Sequence, residues 1–524
     1  MVSNSDDKAA PTLGPSGKGG PETATTSTTE LRQRAPERSK PLAPLNDAEI
    51  TSEYSEREVS TSTVAFALTT DRTKNHVLPV HTAVQSSILS YQSGKVSYKG
   101  FLNLALLLLF VTNVRLVVEN YIKYGFLISI PGQYVPPQDW VFAVVAFSLL
   151  PVNIVLAFAI EWLVSCWLVL PLLSTRGHSE TTQAPRPSLV NAQVDGQSRG
   201  WAVGIGLAHA LNLCIMLLFP SYVVYHHMYH PLLGLWIVFT VVIQFLKLLS
   251  YTLTNQYLRY QCIHGLPQPL EYTTQYPANI TLRNLLYFSL TPTLCYQPSY
   301  PRSARFRKRF FLKRCLEGLI AIVMIYFLVE QYAIPTLKNS VAAMDQLHVI
   351  QIMERVFKLS TTSVMIWLLG FYAFFHAFLN ALAEALYFGD RSFYLPWWNS
   401  GTVARYWRLW NQPVHYFFKR HIYLPCIRAG LPPMAAIVLI FFVSALLHEL
   451  VIAIPTHNTA GHAFWGLFLQ VPLILLTNQL AAYTGKDSST GNVVFWVTFC
   501  ILGQPFLVVR YFYDWTKQNI VAMP

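Results

Sequence analysis

The chain has 524 residues, of which 53% are hydrophobic and 12% are charged, about half the charged share of an ordinary soluble domain. This composition argues against a largely disordered chain and against a soluble enzyme, and seven cysteines without a CxxC pair exclude a disulfide scaffold or a zinc ribbon. We therefore predict an all-α polytopic membrane protein.

The N-terminal segment has a different composition from the rest. Residues 1–60 carry 7 Lys/Arg against 10 Asp/Glu, a net charge of −3. Since the formal net charge of the whole chain is +12, residues 61–524 carry +15. Thr, Ser, Pro and charged residues dominate this segment, and it contains no apolar stretch typical of a signal peptide. We predict a disordered cytosolic region over residues 1–85 and a membrane domain over 86–524. The basic charge of the membrane domain is more typical of cytosolic loops than of nucleic-acid binding, and no nucleic-acid partner is predicted.

Apolar stretches long enough to cross a bilayer, at roughly 20 residues each, recur along the membrane domain. Nine transmembrane helices are predicted, near 101–118, 140–170, 201–220, 231–253, 315–335, 360–387, 433–455, 463–482 and 493–513.

Lys and Arg are concentrated in alternate loops, chiefly 254–314 and 388–432. The positive-inside rule then places these loops and the N-terminus in the cytosol and the C-terminus in the lumen. The one Asn-x-Thr sequon, at Asn279, is accordingly predicted to be cytosolic and unglycosylated.

The loop 388–432 is rich in aromatic as well as basic residues, including Trp397, Trp398, Trp407 and Trp410. One interpretation is plain anchoring at the membrane surface, which favours both residue types. The other is a site for an anionic, partly aromatic ligand such as acyl-CoA.

Ionisable groups inside predicted spans are costly and usually functional. The seventh span contains Ser444, His448 and Glu449. Ser444 and His448, four residues apart, share one helical face, whereas Glu449 points about 100° away and should serve another partner. A neutral histidine in a dry cavity suits a general base, although a hydrogen-bonded packing residue is the alternative.

Other spans carry polar residues without a decisive pattern. His376, Asn380 and Glu384 form a stripe on the sixth span that either lines a cavity or joins helices by hydrogen bonds. The cluster His226, His227 and His230 is either a metal site or a polar lumenal turn, and the turn is favoured because no Cys or carboxylate is adjacent in sequence. No HExxH, P-loop, GxGxxG or GxSxG motif occurs, so no catalytic metal is predicted.

Two segments resemble a known family. Phe393–Asn399 (FYLPWWN) is similar to the FYxDWWN motif of membrane-bound O-acyltransferases that esterify sterols and diacylglycerol, with Pro396 where the motif has Asp. Ser444–Glu449 resembles the segment that carries the family's catalytic histidine. The resemblance spans roughly residues 86–524, and segments such as 292–296 and 411–415 favour the diacylglycerol branch over the sterol branch.

The resemblance implies a multi-helix bundle that encloses an intramembrane chamber open to the cytosol and the bilayer. It implies acyl transfer from acyl-CoA to diacylglycerol in the endoplasmic reticulum membrane, with acyl-CoA as a substrate and no cofactor, by a homodimer or homotetramer. A sterol or wax-ester synthase of the same family is the runner-up function. A transporter or channel is the alternative from another class, and the lack of an internal repeat weighs against it.

The resemblance also implies residue roles. His448 would be the general base, and Asn399 would lie with Trp397 and Trp398 where the CoA arm meets the acyl chain. Gln470 and Gln504 would face the reacting groups, and Glu449 would orient them or serve only the structure. The expected substrate-facing set is completed by His376 in the sixth span and by His415 and Arg420, which would face the CoA phosphates.

Overall fold

The computed structural model describes residues 87, 98–121, 135–171, 187–269, 271–484 and 490–522. The predicted disordered region, residues 1–85, lies outside the described residues. Within them the regular structure is helical, apart from one β-bridge between Arg302 and Phe388. The predicted all-α class is therefore confirmed.

The helices run in chain order as α1 (Lys99–Tyr121), α2 (Pro137–Val164), α3 (Pro187–His227), α4 (Pro231–His264), α5 (Leu282–Leu290), α6 (Lys308–Leu328), α7 (Ile334–Asp345), α8 (Val349–Phe371), α9 (Leu379–Ala385), α10 (Val403–Trp410), α11 (Gln412–Phe418), α12 (Leu424–Arg428), α13 (Pro433–Thr456), α14 (His462–Phe468), α15 (Gln470–Thr484), α16 (Thr490–Phe495) and α17 (Gln504–Ala522). Wider π-helical segments follow α2 (Ser165–Val169) and join α6 to α7 (Val329–Ala333), α8 to α9 (Tyr372–Phe378), α11 to α12 (Lys419–Tyr423) and α16 to α17 (Trp496–Gly503). A single 3-10 turn, Trp397–Asn399, precedes α10.

Seven of the nine predicted spans coincide with helices, or runs of joined helices, that are long and apolar enough to cross a bilayer. The first and fifth predicted spans are also helical, as α1 and α6, and Lys99–Thr112 of α1 is a shorter apolar helix, but neither is among the seven. The multi-pass architecture is confirmed, whereas the count of nine is not.

The outward faces of the spans carry large apolar side chains that no protein covers. Val144 of α2, Leu207 of α3 and Leu316 of α6 are 69%, 66% and 54% exposed. Because such a surface is unfavourable in water, these faces are the ones that a bilayer covers.

Buried charges join the first part of the bundle. Glu161 of α2 accepts a hydrogen bond from Arg259 of α4 at 2.6 Å and lies 3.1 Å from Nε2 of His209 on α3. All three side chains are almost fully buried, and a buried charge persists only with such partners. Three spanning helices are thereby fixed against one another.

Lys247 of α4 fixes the short helix α5. Its buried ammonium donates to the carbonyls of Phe288, Ser289 and Thr291 at 2.9, 3.0 and 2.5 Å. A cation at a helix C-terminus satisfies carbonyls that have no intrahelical partner. The segment after α5 is therefore held against the bundle.

The sequon residue Asn279 lies in this region and is 1% exposed. Its amide donates to Asn255 Oδ1 at 2.8 Å and to the Tyr296 hydroxyl at 3.1 Å. The nitrogen that a glycan would occupy is thus engaged inside the protein, as the unglycosylated prediction requires.

Two apolar cores meet at α13. One core is built mainly from α2, α3, α4 and α5, and the other is an aromatic cluster from α8, the 3-10 turn, α10 and the segment 495–500. Leu447 of α13 packs against the first core, whereas Ile437 and Phe441 pack against the second. The helix that carries His448 therefore lies between the two halves of the bundle.

Candidate active site

His448 is held in one protonation form by its own helix. Its Nδ1 lies 2.8 Å from the carbonyl oxygen of Ser444. Since a carbonyl can only accept, Nδ1 carries the proton in this contact, and Nε2 of the neutral ring keeps its lone pair. The predicted i, i+4 relation is confirmed, and the ring has the tautomer that a general base needs.

Buried and exposed positions lie together on the face of α13 that carries His448. His448 lies on the same helical face as Phe441 and Ala445, which are both buried, yet His448 itself is exposed. Helices α3, α4, α14 and α15 pack around α13. The chamber beside His448 that the resemblance implied stays a prediction.

Glu449 turns away from His448, as predicted. Its Oε1 accepts from the Gly461 amide at 3.0 Å, and its Oε2 accepts from the Phe464 amide at 2.9 Å and the Tyr511 hydroxyl at 3.2 Å. These amides belong to the N-terminus of α14, where a negative charge is favourable. Glu449 therefore fixes α14, the helix that leads directly into Gln470.

Gln470 and Gln504 begin α15 and α17. Gln470 is 8% exposed and donates weakly to the Gly466 carbonyl at 3.4 Å. The amide oxygens of both glutamines are buried, and neither has a hydrogen-bond partner within the described part of the chain. Because a buried acceptor without a donor is costly, both oxygens are suited to a hydroxyl or N–H from a ligand.

The motif residues Trp397–Asn399 form the 3-10 turn. Pro396 has a φ of −66°, inside the range that its ring imposes, and its carbonyl accepts from the Asn399 amide at 3.2 Å. The replacement of the motif's Asp by Pro therefore leaves the turn formed.

Trp397 and Trp398 are both 0% exposed. The ring of Trp397 packs with those of Trp367, Phe371 and Trp410 at centroid distances of 5.2, 5.1 and 5.8 Å. In this structure the two tryptophans are the interior of an aromatic cluster, and their contact with substrate stays a prediction.

The loop 388–432 contacts α13 on the face of α13 that carries His448. The rings of Trp407 on α10 and Phe441 on α13 meet edge to face, with centroids 5.7 Å apart. The loop 388–432, which contains the motif, and the helix α13, which carries His448, thus lie against each other.

His376 is nearly fully buried and joins elements. Its Nδ1 lies 2.8 Å from the Tyr394 hydroxyl, and its Nε2 is bonded by the Arg314 guanidinium of α6. Glu384, on the same stripe, is bonded by Arg307 and Arg391. Of the two interpretations of this stripe, the geometry favours hydrogen bonds between helices, and a substrate contact by His376 stays a prediction.

Arg420 lies beneath the protein surface. It is 3% exposed, and its guanidinium donates to the Tyr296 carbonyl at 3.1 Å. The expected contact of this side chain with CoA phosphates stays a prediction, and in this structure Arg420 presents almost no surface to a ligand.

His415 lies nearer the surface, in a cationic environment. Burial and the neighbouring charges of Lys419 and Arg408 lower the pKa of His415 to about 4. Burial and Arg408 also lower the pKa of Lys419. The positive charges that lower the pKa of His415 and of Lys419 form a local field that favours an anion.

The histidine cluster forms a turn between α3 and α4. His230 caps α4 by accepting from the Leu233 amide through Nδ1 at 3.3 Å. The fold nevertheless brings a carboxylate that sequence adjacency did not reveal: Asp139 accepts from the Tyr229 and His230 amides at 3.1 and 2.7 Å. Among the described residues, no three His, Cys, Asp or Glu side chains are arranged to hold a metal.

Several neighbours of the motif turn were missed from the sequence, chiefly Gly100, Asn103, Gly491 and Asn492. Gly100 contacts Asn399 across 299 residues and Asn103 contacts Asn492 across 389, whereas Asn492 contacts Trp398 across 94. Gly491 lies against Gly401, just after the turn. The available signal was an Asn at the start of each of two apolar spans, where an unpaired amide would be costly.

The fold and site define a class of protein that the comparisons identify. The sequence profile described as "MBOAT, membrane-bound O-acyltransferase family" matches residues 204–508. The chain belongs to this family.

Curated relatives are similar over most of the chain. Diacylglycerol O-acyltransferase 1 of Corylus americana is 38% identical over 443 residues, which cover 83% of this chain and 76% of the relative. Diacylglycerol O-acyltransferase 1 of Arabidopsis thaliana is 36% identical over 444 residues, 83% of this chain and 77% of the relative. The protein of the same name from Dictyostelium discoideum is 33% identical over 438 residues, 83% of this chain and 65% of the relative.

Proposed function

We propose that the chain is an acyl-CoA:diacylglycerol O-acyltransferase that forms triacylglycerol. The observation that carries the proposal is His448, whose Nδ1 is committed to the Ser444 carbonyl while the side chain is exposed on a helix that contacts α3, α4, α14 and α15. The similarity to diacylglycerol O-acyltransferases over 83% of the chain supports the choice of acceptor.

The chemistry needs one base and no acyl-enzyme. Nε2 of His448 takes the proton of the diacylglycerol hydroxyl as its oxygen attacks the thioester carbonyl. The C–S bond then breaks, the new ester remains, and the CoA thiolate recovers the proton from the imidazolium. A chamber lined by α13 keeps bulk water from competing for the thioester.

The acceptor hydroxyl needs orientation as well as a base. The buried amide oxygens of Gln470 and Gln504 have unused acceptor capacity in the described structure. We assign one of these two oxygens to accept a hydrogen bond from the diacylglycerol hydroxyl. The other would accept a hydrogen bond from another donor group of the bound substrates. Such contacts place the reacting oxygen before proton transfer.

The CoA phosphates are assigned to the cationic group formed by Arg408, His415 and Lys419. Arg408 is exposed, and the other two are half-buried. Arg420, next to Lys419 in sequence, is buried and donates to the Tyr296 carbonyl. Asn399 would lie at the thioester, and Trp397 and Trp398 would give the turn its rigid aromatic base.

The cellular setting follows from the same assignment. A water-soluble acyl-CoA must reach the basic loop from the cytosol. Since the positive-inside rule puts this loop and the N-terminus on one side of the membrane, the N-terminus is assigned to the cytosol. The similarity to diacylglycerol O-acyltransferases supports the endoplasmic reticulum as the membrane. Assembly as a homodimer or homotetramer and a separate regulatory region over residues 1–85 complete the proposal.

The test uses purified full-length protein in nanodiscs with one labelled acyl-CoA and three acceptors: diacylglycerol, a sterol and a fatty alcohol. Triacylglycerol as the main product is expected, and sterol ester or wax ester as the main product would overturn the acceptor assignment. His448→Ala should lose at least about a hundredfold in kcat, at the low end for a general base. His348→Ala, at an exposed histidine before α8, is the matched control and should retain turnover.

A further inference from the structure

The backbone of the motif turn has its carbonyls buried, and one side chain satisfies two of them. Asn492 of α16 donates through Nδ2 to the Trp398 carbonyl at 2.9 Å and to the Ser400 carbonyl at 3.0 Å. Asn492 is 3% exposed. Losing these bonds would leave two buried acceptors unpaired, which is unfavourable.

A second asparagine decides which atom of the Asn492 amide faces the turn. Asn103 of α1 donates through Nδ2 to Asn492 Oδ1 at 3.1 Å. With its oxygen engaged there, Asn492 presents its NH2 group to the two carbonyls. Helices α1 and α16 thus act together on the turn.

Two glycines let the same helices approach the turn closely. The Gly100 amide donates to Asn399 Oδ1 at 2.8 Å. A Cβ at Gly100 would lie 1.3 Å from the Trp398 carbonyl oxygen, and one at Gly491 would lie 1.9 Å from the Gly401 carbonyl oxygen. Neither position has room for a side chain, so the turn is held between the two helix starts.

We infer that Asn492 is a positioning residue for acyl transfer. Asn492 and Gly100 hold the turn, so that the side-chain amide of Asn399 points its oxygen toward α1. Its NH2 group then takes a defined position relative to the thioester. This inference rests on the role of Asn399 in the proposed function. Misplacing a group that acts in the transition state lowers kcat more than it raises KM.

The principal test is a double-mutant cycle on the full-length protein in nanodiscs. Asn492→Asp keeps the shape of the side chain but replaces the NH2 donor by an acceptor. We expect kcat to fall by about tenfold or more, since both carbonyls lose their donor and the turn shifts, with the acyl-CoA KM within about twofold of wild type. The double variant Asn399→Ala/Asn492→Asp should be no slower than Asn399→Ala alone, because both changes act through one amide.

Asn339→Asp, the same chemical change at an exposed site on α7, is the matched control and should leave kcat unchanged. Asn103→Ala is a milder second variant, because it removes only the bond that orients Asn492, and it should lower kcat less in the same direction. An additive loss in the double variant, or wild-type kcat in Asn492→Asp, would overturn the inference.

Hydrogen exchange of the peptide covering 396–403 separates this inference from the proposed function. Asn492→Asp should speed exchange there and leave distant helices unchanged, and an unchanged peptide would show that Asn492 does not hold the turn. If Asn399→Ala keeps wild-type turnover, the role given to Asn399 is wrong, whereas faster exchange in Asn492→Asp would still support the hold on the turn.

Discussion

Glu449→Gln tests the claim that the acid next to His448 acts through α14. The carboxylate accepts three hydrogen bonds, from the Gly461 and Phe464 amides and the Tyr511 hydroxyl. Glutamine keeps the length and one acceptor oxygen. The amide should turn that oxygen to the Phe464 and Tyr511 side, which leaves the Gly461 amide facing an NH2 group.

The size of the effect follows from these contacts. One unpaired backbone donor costs about 1–3 kcal/mol, and loss of a capping acceptor at a helix N-terminus costs about 0.5–2 kcal/mol. Because the two costs describe overlapping losses, we expect about 2 kcal/mol for Glu449→Gln and a larger loss for Glu449→Ala, which removes all three bonds. Displacement of α14 also moves Gln470, so kcat should fall by about tenfold, which corresponds to roughly 1.4 kcal/mol in the barrier.

The assay combines apparent unfolding temperature in detergent with steady-state kinetics for both substrates. Glu271→Gln is the matched control, because Glu271 is exposed and a surface substitution of this kind should change stability by under about 0.5 kcal/mol. Wild-type stability and kcat in Glu449→Gln would refute the capping argument.

Other predictions concern substrate binding and topology. Arg408→Ala and Lys419→Ala should each raise the acyl-CoA KM severalfold with little effect on the diacylglycerol KM, whereas an effect confined to the diacylglycerol KM would contradict the phosphate assignment. The pKa of His415, about 4 in the free protein, should rise when phosphate binds beside it, so acyl-CoA affinity should increase as the pH falls toward 4. The check is a titration of the acyl-CoA Kd from pH 5 to 8. His415→Gln should lose the pH dependence that comes from His415, while the dependence that comes from the CoA phosphate itself remains. Deletion of residues 1–85 should leave kcat near wild type in a correctly inserted protein, and complete inactivity would show that this region belongs to the catalytic unit. A glycosylation assay should find Asn279 unmodified, and a shift in mass removed by glycosidase would refute both the burial of its amide and the cytosolic assignment of its loop.

The sequence alone determined the features that depend on local patterns. A run of some 20 apolar residues must pair its own backbone groups in lipid, so helical spans follow from composition, and seven of the nine coincide with long apolar helices. The i, i+4 relation of Ser444 and His448 and the opposite direction of Glu449 follow from helical geometry. The two segments that resemble the family, 393–399 and 444–449, were likewise recognisable from short stretches of sequence.

The tertiary structure decided which side of each helix is inward and which distant residues meet. In a chain that is apolar both inside and outside, hydrophobic periodicity does not distinguish the lipid face from the core, so the burial of Arg420 and the exposure of Arg408 were not readable from the sequence. The contacts of Asn492 with Trp398, and of Glu161 with Arg259, join residues 94 and 98 positions apart. Such pairs exist because packing removes polar groups from water, so that each must find its partners within the protein.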